Sequence, residues 1–171
     1  MASVKQDGMF SLFPGYERSI AVIGGAGIHL RIGTAKEWIE LQRSTPPFKF
    51  LGDEIIEAKL INGGAITDFN VFSKQERFTH QVSRFFLQPK DSPQRISLTS
   101  LTLSSTHILC PLRGDLVIKS SAENQDHHLL VQDGDSCVIT QYDGDVELSC
   151  SGDASVELFL TDFYPRGEGS E

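Results

Sequence analysis

The chain has few cysteines and no pattern that ties them together. Cys110, Cys137 and Cys150 are an odd number, so they cannot all pair within one chain, and none belongs to a CxxC motif. This excludes a disulfide scaffold and argues against a zinc ribbon or a thioredoxin-type site. Each cysteine lies in or beside an apolar stretch, where free thiols are usually buried. Free thiols fit the reducing cytoplasm, which we predict as the location of the protein.

Long apolar runs and an excess of positive charge are also missing. The longest apolar runs, such as IAVI and HILC, are far shorter than the roughly 20 residues that a membrane-spanning helix needs. The opening MASVKQDGMF has no apolar core of a signal peptide. A net charge of −8 argues against a general binder of nucleic-acid backbones. We therefore expect neither a membrane nor a nucleic acid as a partner.

Helical signals are scarce, whereas strand signals are frequent. Residues 34–44 alone have a helix-like composition, and their apolar residues do not repeat over two turns. Short segments rich in Val, Ile, Leu, Phe and Thr, such as SIAVI, IIEAKLI and SVELFLTDF, alternate with GGAG, RGD and DGD, which we interpret as hairpin turns. Strands this short and evenly spaced predict an all-β fold of antiparallel sheets in a sandwich or barrel.

The two halves of the chain resemble each other. GDEIIEAKLINGGAITDF in the first half and GDVELSCSGDASVELFLTDF in the second share a Gly-Asp turn, a strand, a second turn, a strand and Asp-Phe. A few long repeats are typical of a duplicated domain rather than a solenoid. We predict one compact domain over residues 1–171, with a first barrel at about 1–88 and a second at about 96–164. The stretch QPKDSPQR between them is the linker candidate.

The histidines do not have the spacing of a metal site. Two imidazoles on one face of a strand need the spacing HxH, because side chains alternate between the faces. His29, His80 and His107 stand alone, and His127 and His128 are adjacent, so in a strand they point to opposite faces. We interpret the adjacent pair as an exposed loop end. The sequence therefore predicts no metal site.

Motifs for catalysis and for cofactors are also missing. There is no GxSxG elbow and no Walker loop, and the glycines at 24–27 precede a strand, so no helix N-terminus follows to hold a phosphate. We predict no cofactor and assign no catalytic residue.

Two blocks in the first half resemble the HutD/Ves family. They are FSLFPGYERSIAVIGGAGIHLRI at 10–32 and FKFLGDEIIEAKLINGGAITDFNVF at 48–72, in the order and spacing of that family. The resemblance implies a cupin-like, RmlC-like bicupin: two double-stranded β-helix barrels without the metal histidines. It also implies a non-enzymatic protein that binds a small acidic metabolite of histidine utilisation, such as urocanate or an N-formyl amino acid.

One segment that is usual in this family does not occur in the chain. Members usually begin with a segment that carries a Trp-Asn-Gly motif, and no such block is present here. A truncated sequence, a misassigned start codon and a true loss of the segment would each explain the difference.

The resemblance and strand alternation together predict four ligand-binding residues. Arg18 offers a planar fork of donors for a carboxylate, although it could instead be a surface arginine paired with Glu17. Asp68 and Asn70 share one face of a strand, which suits polar groups lining a barrel lumen, or else they hold a loop through backbone hydrogen bonds. Asp53, in the Leu-Gly-Asp turn, is either a ligand contact or an ordinary turn acid.

Other functions remain open at this stage. One is a metal-free isomerase or epimerase that uses Asp68 as general base, with His29 as the nearest candidate partner. Another is a protein-interaction adaptor, with the polar face purely structural. Phe13, Tyr16 and Phe50 could be walls of a pocket, although most aromatic residues in a small β-protein belong to the core. Exposed barrel edges would be compatible with a homodimer.

Overall fold

A computed structural model of the chain describes residues 1–98, 105–122 and 125–166. The described residues form sixteen strands and a single 3₁₀ turn at Ile61–Gly63, which confirms the all-β prediction. Residues 34–44 form turns and one short strand rather than a helix. The strands are β1 (Ala2–Val4), β2 (Gly8–Met9), β3 (Tyr16–Gly24), β4 (Ile28–Ile32), β5 (Ile39–Leu41), β6 (Phe48–Leu51), β7 (Ile56–Leu60), β8 (Ile66–Lys74), β9 (Phe78–Leu87), β10 (Gln94–Leu98), β11 (Thr106–Arg113), β12 (Leu116–Ala122), β13 (Gln125–Val131), β14 (Cys137–Thr140), β15 (Gly144–Cys150) and β16 (Val156–Pro165).

The strands belong to two compact units. Met1–Thr79 forms unit 1, and the described residues from His80 to Arg166 belong to unit 2. Unit 1 contains two four-stranded sheets with the orders β1-β8-β3-β6 and β2-β7-β4-β5. Unit 2 contains two more, with the orders β9-β16-β11-β14 and β10-β15-β12-β13. The predicted barrel limits, and the single body that they were expected to form, stay predictions.

The strand order confirms that the domain is duplicated. Adding eight to every strand number in unit 1 reproduces both sheets of unit 2 in full. Within each unit, strands that follow one another along the chain usually lie in different sheets. This alternation between facing sheets is the arrangement of a double-stranded β-helix.

The prediction that the glycine turns form hairpins is wrong. The glycine turns at 24–27, 113–115, 133–135, 143–145 and 151–153 each lead from a strand of one sheet to a strand of the facing sheet. Consecutive strands of one sheet pair instead in β4–β5 and β12–β13. Both kinds of connection favour glycine, because both need tight turns with positive φ. The turn residues alone therefore do not say which strands pair.

Each unit has its own apolar core, which lies between its two sheets. In unit 1 the core includes Ile20, Ile28 and Leu30, each at most 1% exposed, and in unit 2 it includes Leu109 and Leu148, each 0% exposed. Residues at alternate positions of a strand point to the same face, so such residues supply the core side of each sheet.

The three cysteines are free, as predicted. Cys137 is buried in the core of unit 2, whereas Cys110 and Cys150 are half-buried. Burial raises the pKa of the Cys137 thiol, which keeps it in the unreactive protonated form.

No helix within the described ranges is long and apolar enough to cross a membrane.

The turn between β3 and β4 depends on Gly25. This residue has φ +88°, and a Cβ atom there would lie 2.5 Å from the carbonyl oxygen of Ala65 and 2.9 Å from the Cα atom of Ile66. Gly33 also has a positive φ, +54°, but no atom lies within 4 Å of the place where its Cβ would be. The two glycines therefore share the conformational requirement and differ in the space around them.

We expect Gly25→Ala to lower the free energy of unfolding by about 2 kcal/mol more than Gly33→Ala, because only Gly25→Ala adds a backbone clash to the strain of positive φ. Urea denaturation of the two variants and the wild type measures the difference. Equal losses would contradict the packing of this turn against Ala65 and Ile66.

Candidate functional site

Unit 1 contains a cleft of about 830 Å³. Residues 1–11 line one side of it, including β1 and β2. Strand β1 is paired with β8 in one sheet, and residues on β8 and β3, among them Arg18, Asp68 and Asn70, also line the cleft. Three of the four predicted ligand residues thus line one cleft.

The antiparallel pairing of β3 and β8 brings these side chains together. Arg18 lies directly opposite Phe72, and Ile20 lies directly opposite Asn70. Side chains of directly opposed residues project from the same face of a sheet, and so do side chains two positions apart on one strand. Asp68, two residues before Asn70, therefore joins this face, as its alternation predicted.

The guanidinium group of Arg18 lies inside a cage of four aromatic rings. Its central carbon is 5.7 Å from the ring centre of Phe10, 4.9 Å from Phe13, 5.0 Å from Phe50 and 4.6 Å from Phe72. The residue is 7% exposed. The rings stabilise the cation through cation–π contacts and keep water away from it. We call these four rings the aromatic cage.

Arg18 keeps hydrogen-bonding capacity inside the cage. Its Nη1 donates to the carbonyl oxygen of Ser11 at 3.0 Å, while its buried Nε has no hydrogen-bond partner among the described residues. Glu17, the alternative partner weighed from the sequence, instead accepts from Thr79 and pairs with Lys49, both at 2.8 Å. Arg18 is therefore a buried cation with an unused donor, not a surface arginine.

Burial lowers the pKa of Arg18 from its ordinary value, and the charge of Asp68 acts in the opposite direction. Because the ordinary pKa of arginine lies far above neutral pH, the guanidinium remains charged. The cleft thus offers a fixed positive charge in a site of low polarity.

Asp68 and Asn70 form a hydrogen-bonded pair beside Arg18. The Nδ2 atom of Asn70 donates to Oδ1 of Asp68 at 2.6 Å, and Asp68 is only 2% exposed. Burial raises the pKa of Asp68, and a backbone hydrogen bond from Ala2 together with the charge of Arg18 opposes that shift without cancelling it. The Oδ1 atom of Asn70 is buried and has no partner within the described chain. A buried acceptor without a donor is costly, and a ligand N–H would satisfy it.

Asp53 and His29 lie outside the cleft. Asp53 is exposed, and its Oδ1 accepts the backbone N–H of Gly15 at 2.9 Å. This contact agrees with the alternative interpretation of Asp53 as an ordinary turn acid. His29 lies 3.2 Å from Glu40 on the neighbouring strand β5, so it is not placed to act with Asp68. The geometry brings neither residue to the predicted site.

Sequence reasoning missed part of the cage and most of the cleft wall. Phe72 continues the alternation of Asp68 and Asn70 by two more residues, so the same pattern could have found it. Phe10 and Met9 carried no such signal, because they line the cleft through the path of the segment before β3. Phe13 and Phe50 do surround the guanidinium, as considered from the sequence, whereas the residues lining the cleft do not include Tyr16.

The histidines form no metal site in the described ranges. No group of three or more His, Cys, Asp or Glu side chains there is arranged to hold a metal ion. His127 and His128 lie in strand β13, so their interpretation as a loop end was wrong, although both are exposed. Their pairing with β12 places them in a regular ladder rather than a turn.

Unit 2 has a different polar group at the position that matches the cleft. Strands β11 and β16 are the counterparts of β3 and β8, and they place His107 opposite Asp162, with Nδ1 and Oδ1 2.7 Å apart. His107 is 1% exposed. The counterpart strands of unit 2 thus carry a different polar pair, with a buried histidine.

Comparisons with known proteins agree with the fold. The structure is similar to that of a conserved protein of unknown function from Pseudomonas aeruginosa, with a TM-score of 0.77 and 24% identity, covering 96% of this chain and 80% of that one. It is also similar to HutD from Pseudomonas fluorescens, with a TM-score of 0.69 and 23% identity, covering 96% and 77%. An oxalate decarboxylase from Lactobacillus farciminis shares the fold at 9% identity, with a TM-score of 0.62 and coverage of 96% and 74%. Likeness at such low identity shows the double-barrel fold alone.

Sequence comparison identifies the family. Protein Ves from Escherichia fergusonii is 32% identical over 74 residues, which are 43% of this chain and 38% of that protein. The match therefore spans well under half of that relative. The model of the HutD family matches residues 1–159. The chain belongs to the HutD family.

Proposed function

We propose that unit 1 binds a small carboxylated metabolite in its cleft without transforming it. The observation that carries this proposal is the caged guanidinium of Arg18, whose buried Nε lacks a partner in the described chain while Oδ1 of Asn70, on the same face, also lacks one. Unsatisfied buried polar atoms are costly, and these two belong to side chains that line one cleft.

Arg18 would hold the ligand carboxylate. A guanidinium binds a carboxylate through two parallel hydrogen bonds, and a charge-assisted pair of this kind is stronger than a neutral hydrogen bond. The aromatic cage strengthens the attraction further, because Coulomb interactions grow as water is excluded. The overall charge of −8 supplies no long-range attraction for an anion, so the local donor has to provide it.

Asn70 and Asp68 would bind an N–H group of the ligand. The free Oδ1 of Asn70 accepts a hydrogen bond, and the carboxylate of Asp68 fixes the orientation of the amide through the bond from Nδ2. Urocanate and N-formyl amino acids each combine a carboxylate with an N–H group. Both fit the association with histidine utilisation that the resemblance to the HutD/Ves family implied.

Catalysis by Asp68 is the second candidate function. A buried carboxyl with a raised pKa in a cleft is a frequent property of general bases, and Asp68 has both features. This function is weakened because His29, the residue considered as acid partner of Asp68, lies with Glu40 outside the cleft. Turnover of a bound ligand, followed by NMR, would favour this function over simple binding.

Arg18→Lys should weaken binding of urocanate and N-formyl-L-glutamate by at least about tenfold. Lysine keeps the charge but loses the planar fork that matches a carboxylate. Isothermal titration gives the affinities, and thermal unfolding of the wild type should show a saturable gain in Tm with each ligand.

Arg31→Lys is the matched control. Arg31 also lies over an aromatic ring, 4.8 Å from the ring centre of Trp38, and it pairs with Glu57 outside the cleft. Its substitution should leave both affinities unchanged. Absence of binding to the wild type, or equal losses in the two variants, would contradict the role of Arg18.

The free energy of unfolding of Asp68→Asn, taken relative to that of the wild type, should be higher at pH 7 than at pH 3.5. Because burial raises the pKa of Asp68 above 3.8, the native state binds its proton more readily than the unfolded state. Wild-type stability therefore falls relative to the variant as pH rises through that raised pKa. Urea denaturation at pH 3.5 and pH 7 measures the difference, and an equal difference at both pH values would contradict it.

A further inference from the structure

We infer that the cleft of unit 1 selects a monocarboxylate with an apolar side chain, such as an N-acylated aliphatic amino acid, over a dicarboxylate. Met9, Phe13 and Phe72 are the residues that make this selection. The inference rests on the proposed function, because it assigns a ligand class to the same site.

Three large apolar side chains lie at the mouth of the cleft. Met9 is 60% exposed, Phe13 is 40% exposed and Phe72 is 37% exposed, and all three line the cleft. Apolar side chains that are exposed together beside a polar site often mark a binding surface. We call these three residues the apolar rim.

The apolar rim adjoins the position of the ligand carboxylate. The rings of Phe13 and Phe72 contact each other edge to face, with centres 4.9 Å apart, and both also flank the guanidinium of Arg18. A carboxylate held by Arg18 therefore leaves its neighbouring carbon atoms beside these rings. An apolar side chain on the ligand would cover rim surface that is otherwise exposed to water.

The charges of the cleft do not favour a second carboxylate. The positive groups that line it are the Met1 ammonium, Lys5 and Arg18, and the negative ones are Asp7 and Asp68, so one bound carboxylate brings their sum to zero. Asp7 is held in place because its Oδ1 accepts the backbone N–H of Leu60 at 2.8 Å. One ligand carboxylate pairs with the caged cation. A second one meets two carboxylates and two exposed cations, the Met1 ammonium and Lys5, so it gains no net attraction.

Lys5 and the Met1 ammonium cannot reverse this preference, because both are exposed. An exposed ion pair improves affinity by about fivefold at most, since solvent screens it. Covering a leucine-sized side chain with the apolar rim improves affinity by about tenfold or more. The apolar contribution is therefore the larger of the two.

The test is a titration of the wild-type protein with four compounds. They are N-formyl-L-leucine, N-formylglycine, N-formyl-L-glutamate and N-formyl-L-leucinamide, which lacks the carboxylate. We expect the leucine compound to bind about tenfold more tightly than the glycine compound. The glutamate compound should bind no more tightly than the glycine compound, and the amide should not bind measurably.

A variant of the apolar rim separates side-chain selection from carboxylate binding. Met9→Ala removes an exposed side chain at the edge of a sheet, so we expect it to fold normally. It should lower the affinity for N-formyl-L-leucine several-fold and leave that for N-formylglycine unchanged. Leu51→Ala is the control, because Leu51 is 43% exposed but does not line the cleft.

The outcomes distinguish this inference from the proposed function. Tighter binding of the glutamate compound than of the leucine compound would overturn the selection by the apolar rim while leaving a carboxylate site in place. Equal effects of Met9→Ala and Leu51→Ala on the affinity for N-formyl-L-leucine would also overturn it. If none of the four compounds binds, the proposed function fails, and the inference fails with it.

Discussion

The candidate site depends on keeping one positive charge out of water. A buried guanidinium is tolerated in unit 1 because four aromatic rings surround Arg18 and one carbonyl oxygen, that of Ser11, accepts a hydrogen bond from it. The nearby carboxylate of Asp68 compensates part of the charge but is itself buried at a cost. Buried charged groups in a cleft are frequent at functional sites.

The duplicated architecture explains how such a site can arise without loss of the fold. Both units have the same strand order, so each core is held by the same sheet pairings whatever occupies the polar position. Unit 1 has Arg18 and Asp68 on β3 and β8, in a cleft, whereas unit 2 has the pair of His107 with Asp162 on the counterpart strands. The polar residues on these strands can thus differ between the units while the sheet pairings stay the same.

The features that depend on neighbours along one strand could be predicted from the sequence, whereas contacts between distant segments could not. The alternation of apolar and polar residues gave the all-β fold and placed Asp68 and Asn70 on one face, because both depend on neighbours along one strand. It could not say that the glycine turns join facing sheets, since both kinds of turn need the same residues. It also missed the contact of Phe10 with Arg18, which brings together a loop and a strand. Asp53 was predicted as a ligand contact, but it is a turn residue whose carboxylate accepts the backbone N–H of Gly15.

The wall formed by residues 1–11 gives the cleft a further property. Strand β1 has three residues and strand β2 has two, and each lies at the edge of its sheet. Few ladder bonds hold these two strands, so we expect them to open at a lower free energy than the central strands of their sheets. Entry and release of the proposed ligand would then need no opening of the barrel. A bound ligand that contacts both sides of the cleft would hold residues 1–11 in place, so ligand binding would slow amide hydrogen exchange in β1 and β2.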